Sequence, residues 1–148
     1  ALDDSDEPDS ELSFELEFQL RDFLASNLHT IDLGDKRVHL FHDKSGRRGV
    51  EFPTGVGFVD VLAEDDDGSL YVFELKRAVS PDRAVGQVAR YMGWLKNNGY
   101  GERKIYGVIV SKTVSEKLKY ALDVIPNVMA FEYSINFSLT NVSLVGSV

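Results

Sequence analysis

Gly57-Phe58-Val59-Asp60-Val61-Leu62-Ala63-Glu64, then Asp65-Asp66-Asp67-Gly68-Ser69, then Leu70-Tyr71-Val72-Phe73-Glu74-Leu75-Lys76 read together as one β-hairpin. β-Branched and aromatic residues fill both arms, and the Asp/Gly/Ser cluster between them supplies the turn. Strand side chains alternate faces, so Glu74 and Lys76 share a face while Leu75 points into the core. A type I turn at Asp66-Asp67 with Gly68 in the left-handed position is a common three-residue connection. It pairs Asp65 with Ser69 and, counted back along both arms, sets Asp60 opposite Glu74. Opposed residues hold their Cβ atoms roughly 4.5–5.5 Å apart, close enough for two carboxylates to share one divalent cation. A two-residue Asp67-Gly68 turn would instead set Asp60 against Leu75. The first register is the expected one.

Outward from this hairpin, residues 12–20 carry two periodicities. Leu12, Phe14, Leu16, Phe18 and Leu20 alternate as in a strand, whereas Leu16, Leu20, Phe23, Leu24 and Leu28 follow helical spacing. Good helix formers and the lack of turn residues favour a helix over 14–28. At ~100° per residue Glu17 falls with Leu24 and Leu28 on the apolar face, and Glu15 does not. A strand is expected at 37–42, an Arg/Gly loop at 44–49, and the hairpin strands at 56–63 and 69–77. Ser80-Pro81 gives an N-cap and first helical residue for a helix to about Asn98, with Gly99 as its stop. A buried strand at 104–111, a helix at 113–123, a strand at 127–133 and an irregular apolar tail complete the chain. The order α-β-β-β-α-β-α-β predicts a mixed α/β sheet flanked by helices, with a right-handed crossover over 70–110.

Composition narrows the function. The 148 residues are 43% hydrophobic and 27% charged, ordinary for one soluble domain, and no internal repeat or second domain is evident. No run approaches the roughly 20 apolar residues of a membrane span, and no signal-peptide pattern opens the chain. Cysteine is absent, which excludes disulfides, thiolate metal sites and cysteine nucleophiles and fits a cytoplasmic or nucleoid-associated protein. The chain opens on Ala1 rather than Met, as in a processed protein or an excised domain. The net charge of −8 argues against a general nucleic-acid surface, because phosphate affinity comes mainly from Lys and Arg. Much of the excess is local: Asp3, Asp4, Asp6, Glu7, Asp9 and Glu11 crowd residues 1–11, which read as a disordered, solvated tail ahead of a single domain at 12–148.

Asp60, Glu74 and Lys76 form the main constellation. Mg²⁺ and Mn²⁺ take oxygen ligands, usually a few carboxylates plus water and phosphate oxygens. A neighbouring lysine can position water and offset charge developing on a phosphate. The plainer alternative is an exposed strand face with a Glu–Lys pair. The apolar neighbours Val59, Val61, Leu62, Val72, Phe73 and Leu75 argue for central strands, where carboxylates need partners. Glu17 is a candidate third acid, or a snorkelling helix residue. Gln87 shares a helical stripe with Arg83, Arg90, Tyr91 and Trp94. That stripe is either a solvated face or a set of phosphate contacts, Arg77, Arg83 and Arg90, with Gln87 ordering lysine or water. Arg47 and Arg48, between Gly46 and Gly49, either grip a DNA backbone or form a hairpin tip, with the tip slightly favoured. His29, His39 and His42 lack a zinc spacing. Asp65-Asp66-Asp67-Gly68 imitates an EF-hand loop only in part, with strands rather than helices beside it.

Glu17-Phe18-Gln19-Leu20-Arg21-Asp22-Phe23-Leu24, Gly57 to Ala63, Phe73-Glu74-Leu75-Lys76-Arg77 and Gly86-Gln87-Val88-Ala89-Arg90-Tyr91-Met92-Gly93-Trp94 resemble PD-(D/E)xK nucleases. The likeness is to the nuclease domain of NucS/EndoMS-type endonucleases, and it extends over about residues 14–137. The resemblance implies a restriction-endonuclease-like αβββαβ core and Mg²⁺- or Mn²⁺-dependent hydrolysis of DNA phosphodiesters, as a module of repair or of defence against foreign DNA. It implies that Asp60 and Glu74 bind the metal with the Leu75 carbonyl, and that Glu17 supports it directly or through water. Lys76 would position or activate water, and Gln87 would order the site. The separate N-terminal DNA-binding and dimerisation domain of the mismatch-cleaving members has no counterpart in the matched stretch. DNA affinity is therefore expected from a homodimer or an additional domain or partner. A catalytically silent nucleic-acid- or protein-binding module on the same fold is the rival reading. A tail folded over the basic helix face is a further expectation from charge.

Overall fold

The computed structural model describes residues 11–76 and 81–144. Within them lie helix α1 (Glu11–Ser26), a short 3₁₀ turn (Leu28–Thr30), strands β1 (Val38–Leu40), β2 (Val50–Thr54), β3 (Gly57–Asp65) and β4 (Leu70–Lys76), helix α2 (Pro81–Asn97), strand β5 (Ile105–Ser111), helix α3 (Glu116–Val124) and strand β6 (Val128–Glu132). Of the acidic tail expected over residues 1–11, Glu11 is instead the first residue of α1, and residues 1–10 lie outside the described residues, as do Arg77 and the Ser80 cap. No helix among them is long and apolar enough to cross a membrane.

The strands form one mixed sheet in the order β1-β3-β4-β5-β6, with β2 also paired to β3. Antiparallel pairing joins β1, β2 and β4 to β3, and β4, β5 and β6 run parallel. The hairpin register is the expected one. Asp65 donates its N–H to the Ser69 carbonyl at 3.1 Å, Gly68 sits at φ 84°, and Val61 pairs with Phe73, so one further step sets Asp60 against Glu74. The turn is tied by Asp65. Its Oδ1 accepts the N–H groups of Asp67 (3.0 Å) and Ser69 (2.9 Å), and its Oδ2 accepts the Tyr71 hydroxyl (2.9 Å).

Strand β2 adds to the sequence reading, which assigned no element to Val50–Thr54. Pro53 removes a ladder donor and Glu51 sits at φ 46°, so both local signals oppose a strand. Pairing with the edge of β3 overrides them, and Pro53 falls opposite Phe58 beside the turn.

One face of the sheet packs Val61, Ala63, Tyr71, Phe73 and Leu75 against Leu20, Leu24 and Ala25 of α1. The other packs Val59, Leu62, Leu70 and Val72 against Tyr91 and Leu95 of α2. Phe23 was expected on the apolar face of α1 but is 67% exposed. The face actually buried centres on Leu20, Leu24 and Ala25, and at ~100° per residue Phe23 lies about 120° from that centre. Helix α2 approaches β5 closely at Gly107, where a Cβ would come within 2.1 Å of Val88 Cγ1 and 2.9 Å of Met92 Sδ. After β6 the chain is irregular, with Ile135, Phe137, Leu139 and Val142 exposed.

Candidate active site

The strands carrying Asp60 and Glu74 are the centre of the sheet. Val59 and Leu62 pack on the same α2-facing cluster while Val61 packs on the other, so the period-two alternation of β3 breaks at Asp60–Val61. At that break the Asp60 Oδ2 accepts the Leu75 backbone N–H at 2.9 Å. A side chain thus does what a backbone carbonyl does in a regular ladder, and it fixes Asp60 against the end of β4.

Glu74 is 1% exposed and Lys76 5%. Both Glu74 carboxylate oxygens are buried with no hydrogen-bond partner among the described residues. Burial, then the adjoining Asp60 carboxylate, push the Glu74 carboxyl well above its ordinary range, and the Lys76 ammonium pulls the other way. Tyr91 is raised as well, chiefly by burial and then by the Glu74 charge, with Arg90 opposing. A buried acid–acid contact with no donor is costly unless a proton or a cation joins it. The oxygen-only donor set suits Mg²⁺ or Mn²⁺. The residues fit such an ion.

A cleft of about 360 Å³ opens beside this pair. Helix α1 contributes Glu17, Phe18 and Arg21; the β2–β3 hairpin contributes Glu51, Val56, Gly57, Phe58 and Asp60; Leu75, Lys76, Arg90 and Tyr91 complete the wall. The hairpin tip fits against α2 because its glycines are bare. A Cβ on Gly57, which sits at φ 130°, would lie 2.7 Å from the Tyr91 hydroxyl, and one on Gly55 would lie 2.7 Å from Trp94 Nε1.

The structure thus brings Asp60, Glu74, Lys76, Leu75 and Glu17 to one place. Among the described residues no three carboxylates or imidazoles gather closely enough to cage a metal; Glu17 lines the cleft wall beside Asp60. Gln87 is buried, unlike a residue of a solvated face. At ~100° per residue Arg83, Arg90 and Trp94 form a flank of α2, while Gln87 and Tyr91 rotate toward the buried face of Ala84, Val88 and Leu95. Arg90 reaches the cleft. Arg83 is exposed and not among its lining residues. Arg47 and Arg48 are exposed on a tip held by Asp43, whose Oδ1 accepts from Ser45 and Arg47. They are not brought to the cleft, and Arg77 lies outside the described residues.

Sequence reasoning assigned no role to Arg21, Glu51 or Tyr91 at the site. Arg21 carried a signal, since it lies one turn after Glu17 on the same face. Glu51 lies opposite Asp60 if the β2–β3 register is continued through it, a relation invisible while residues 50–54 had no assigned element.

Known proteins bear on this arrangement. The family described as the Endonuclease NucS C-terminal domain matches residues 16–124. Endonuclease NucS of Sulfolobus acidocaldarius is 34% identical over 95 residues, 64% of this chain and 33% of that protein. Endonuclease NucS of Pyrococcus abyssi is 32% identical over 107 residues, 72% of this chain and 38% of that protein. The chain therefore spans about a third of the length of these relatives. The crystal structure of a repair endonuclease from Pyrococcus abyssi superposes with a TM-score of 0.60 at 25% identity, covering 86% of this chain and 48% of that one. An EndoMS structure solved with double-stranded DNA shares the fold, with a TM-score of 0.58 at 24% identity over 81% of this chain and 46% of that one. With the match running from α1 through α3, the chain belongs to the Endonuclease NucS C-terminal domain family.

Proposed function

We propose that this chain is the nuclease module of a metal-dependent DNA endonuclease acting in repair. The observation that carries the reading is the Glu74 carboxylate, buried without a donor against Asp60 on central strands. Such a pair is costly unless a cation or a proton joins it, and a cation gives both carboxylates a use. Asp60, Glu74 and the Leu75 carbonyl would hold the ion, with Glu17 supporting it through water. When bound, Mg²⁺ or Mn²⁺ supplies Lewis-acid polarisation of the phosphate and makes water a stronger acid. The chain's own groups do the rest. Lys76, buried on the same strand two residues on, orients the attacking water and offsets negative charge on the phosphate. Gln87 orders the lysine from α2, and Arg90 meets the phosphate at the cleft wall.

The relatives' name, Endonuclease NucS, supports the reaction class. DNA as partner is inferred from the EndoMS structure solved with double-stranded DNA, whose fold this chain shares, and a homodimer or a further domain would add affinity.

The test is cleavage of single-stranded, duplex, mismatched and branched DNA with Mg²⁺, Mn²⁺ or EDTA, the wild type beside Lys76→Ala and Glu74→Ala. Metal-dependent cutting lost in both variants is expected, with metal binding kept by Lys76→Ala and lost by Glu74→Ala. Cutting that survives Glu74→Ala would sink the assignment.

A further inference from the structure

We infer that Arg21 is a substrate-phosphate site of the cleft, held ready by Glu51. This deepens the endonuclease reading and rests on it. The Arg21 side chain is only 15% exposed, yet it lines the open cleft with Asp60 and Lys76. Its Nε and Nη2 each donate to Asp22 Oδ1 at 3.1 Å, its Nη1 lies 3.1 Å from Glu51 Oε2, and its guanidinium carbon is 5.0 Å from the Phe18 ring centroid. The guanidinium is thus oriented on every side before any ligand arrives.

The two holding carboxylates are not buried with it. Asp22 is 65% and Glu51 56% exposed. Ion pairs to exposed carboxylates add little stability, so either can be exchanged at little cost. A phosphodiester offers two oxygens to the planar fork, whereas Asp22 and Glu51 each engage it through one.

Glu51 is an unusual holder. It is a non-glycine residue at φ 46° inside β2, a conformation that is itself costly and that concentrates at functional sites. Continuing the ladder places it opposite Asp60, so a carboxylate row crosses β2, β3 and β4 at the cleft. Asp60 and Glu74 form the pair for the ion. Glu51 is the carboxylate left over, and Arg21 answers it. An arriving phosphate takes the place of Glu51 on Nη1, which brings a cation to the substrate and releases the competing carboxylate to solvent.

The experiment is fluorescence-anisotropy titration of a labelled oligonucleotide in EDTA over a range of KCl, using wild type, Arg21→Gln, Arg21→Lys, Glu51→Gln and the Arg21→Gln/Glu51→Gln double variant. Each lost phosphate contact lowers the slope of log K against log salt by about 0.7–0.9. Arg21→Gln is expected to lose that amount of slope, and Arg21→Lys to keep it with weaker binding. Glu51→Gln should tighten binding several-fold, and the gain should vanish in the Arg21→Gln background. An arginine that only ties α1 to β2 would give an unchanged slope in Arg21→Gln, and that overturns the inference. A Glu51→Gln gain that persists without Arg21 overturns it too, since the effect would then be general charge. Parallel cleavage assays separate the levels: wild type that cuts DNA while the Arg21→Gln slope is unchanged refutes only this inference. Wild type that neither binds nor cuts refutes the endonuclease reading and this inference together.

Discussion

Replacing Glu74 with glutamine should make the metal-free protein more stable at neutral pH while abolishing its response to metal. The side chain is 1% exposed and neither oxygen has a hydrogen-bond partner. Glutamine keeps the shape and turns an acid–acid contact into an amide that can donate to Asp60. Holding a proton on Glu74 costs about 1.4 kcal/mol for each pH unit above the ordinary carboxylate range, up to the folded value, so a gain of about 1–3 kcal/mol is expected at neutral pH, or roughly 3–10 °C in Tm. The gain should depend on pH. Below the ordinary carboxylate pKa, Glu74 is protonated folded and unfolded, and it contributes no pH dependence. Above it the unfolded chain releases the proton while the folded chain, with its raised pKa, keeps it. The folded state then binds more protons, and stability falls as pH rises up to the folded pKa. The Glu74→Gln variant lacks this loss. Urea denaturation in EDTA at pH 4.5, 6 and 8 should therefore show the gap between variant and wild type widening with pH. Added Mn²⁺ should then stabilise only the wild type, by about 2.7 kcal/mol at a hundredfold excess over Kd. A gap that stays flat with pH, or a variant less stable throughout, would refute the buried-charge argument.

Other substitutions probe the frame around the site. Gly49→Ala should cost about 3 kcal/mol or more, because a Cβ there would lie 2.1 Å from the Leu62 carbonyl oxygen, which backbone pairing holds in place; chemical denaturation measures it. Asp65→Ala should cost about 3 kcal/mol by stranding the Asp67 and Ser69 N–H groups and the Tyr71 hydroxyl. The same variant should bring the Tyr71 phenol back toward its ordinary pKa, since Asp65 follows burial among the causes that raise it; ultraviolet titration reads this, and an unmoved phenol would contradict the hydrogen bond. Gly57→Ala should lower both stability and cleavage, because φ 130° strains an alanine and the new methyl group would press on the Tyr91 hydroxyl in the cleft wall; paired denaturation and kcat measurements read the two effects.

The features legible in the sequence were those with a local cause. The Asp65–Gly68 turn determined the hairpin register, and with it the meeting of Asp60 and Glu74, because turn length alone decides which residues face each other. Glu17 was legible from helical spacing, which put it on the face that α1 turns to the sheet. What escaped was set by distant partners. Strand β2 exists because β3 offers an edge, against the preferences of Pro53 and Glu51. The exposure of Phe23 reflects how α1 is rotated on the sheet, which spacing cannot give. The separation of Gln87 from Arg83 likewise came from packing, since one stripe on a helical wheel can be half core and half surface.

The bare backbone at Gly107 acts as a spacer of zero thickness. It lets Val88 rest on β5, and Val88 is the next residue along α2 from Gln87. A side chain at 107 would press on Val88 and Met92 of α2, and the helix that carries Gln87, Arg90 and Tyr91 would have to repack against the sheet. The clearance between helix and sheet at this glycine sets a dimension of the candidate site, although Gly107 is not among the residues lining the cleft.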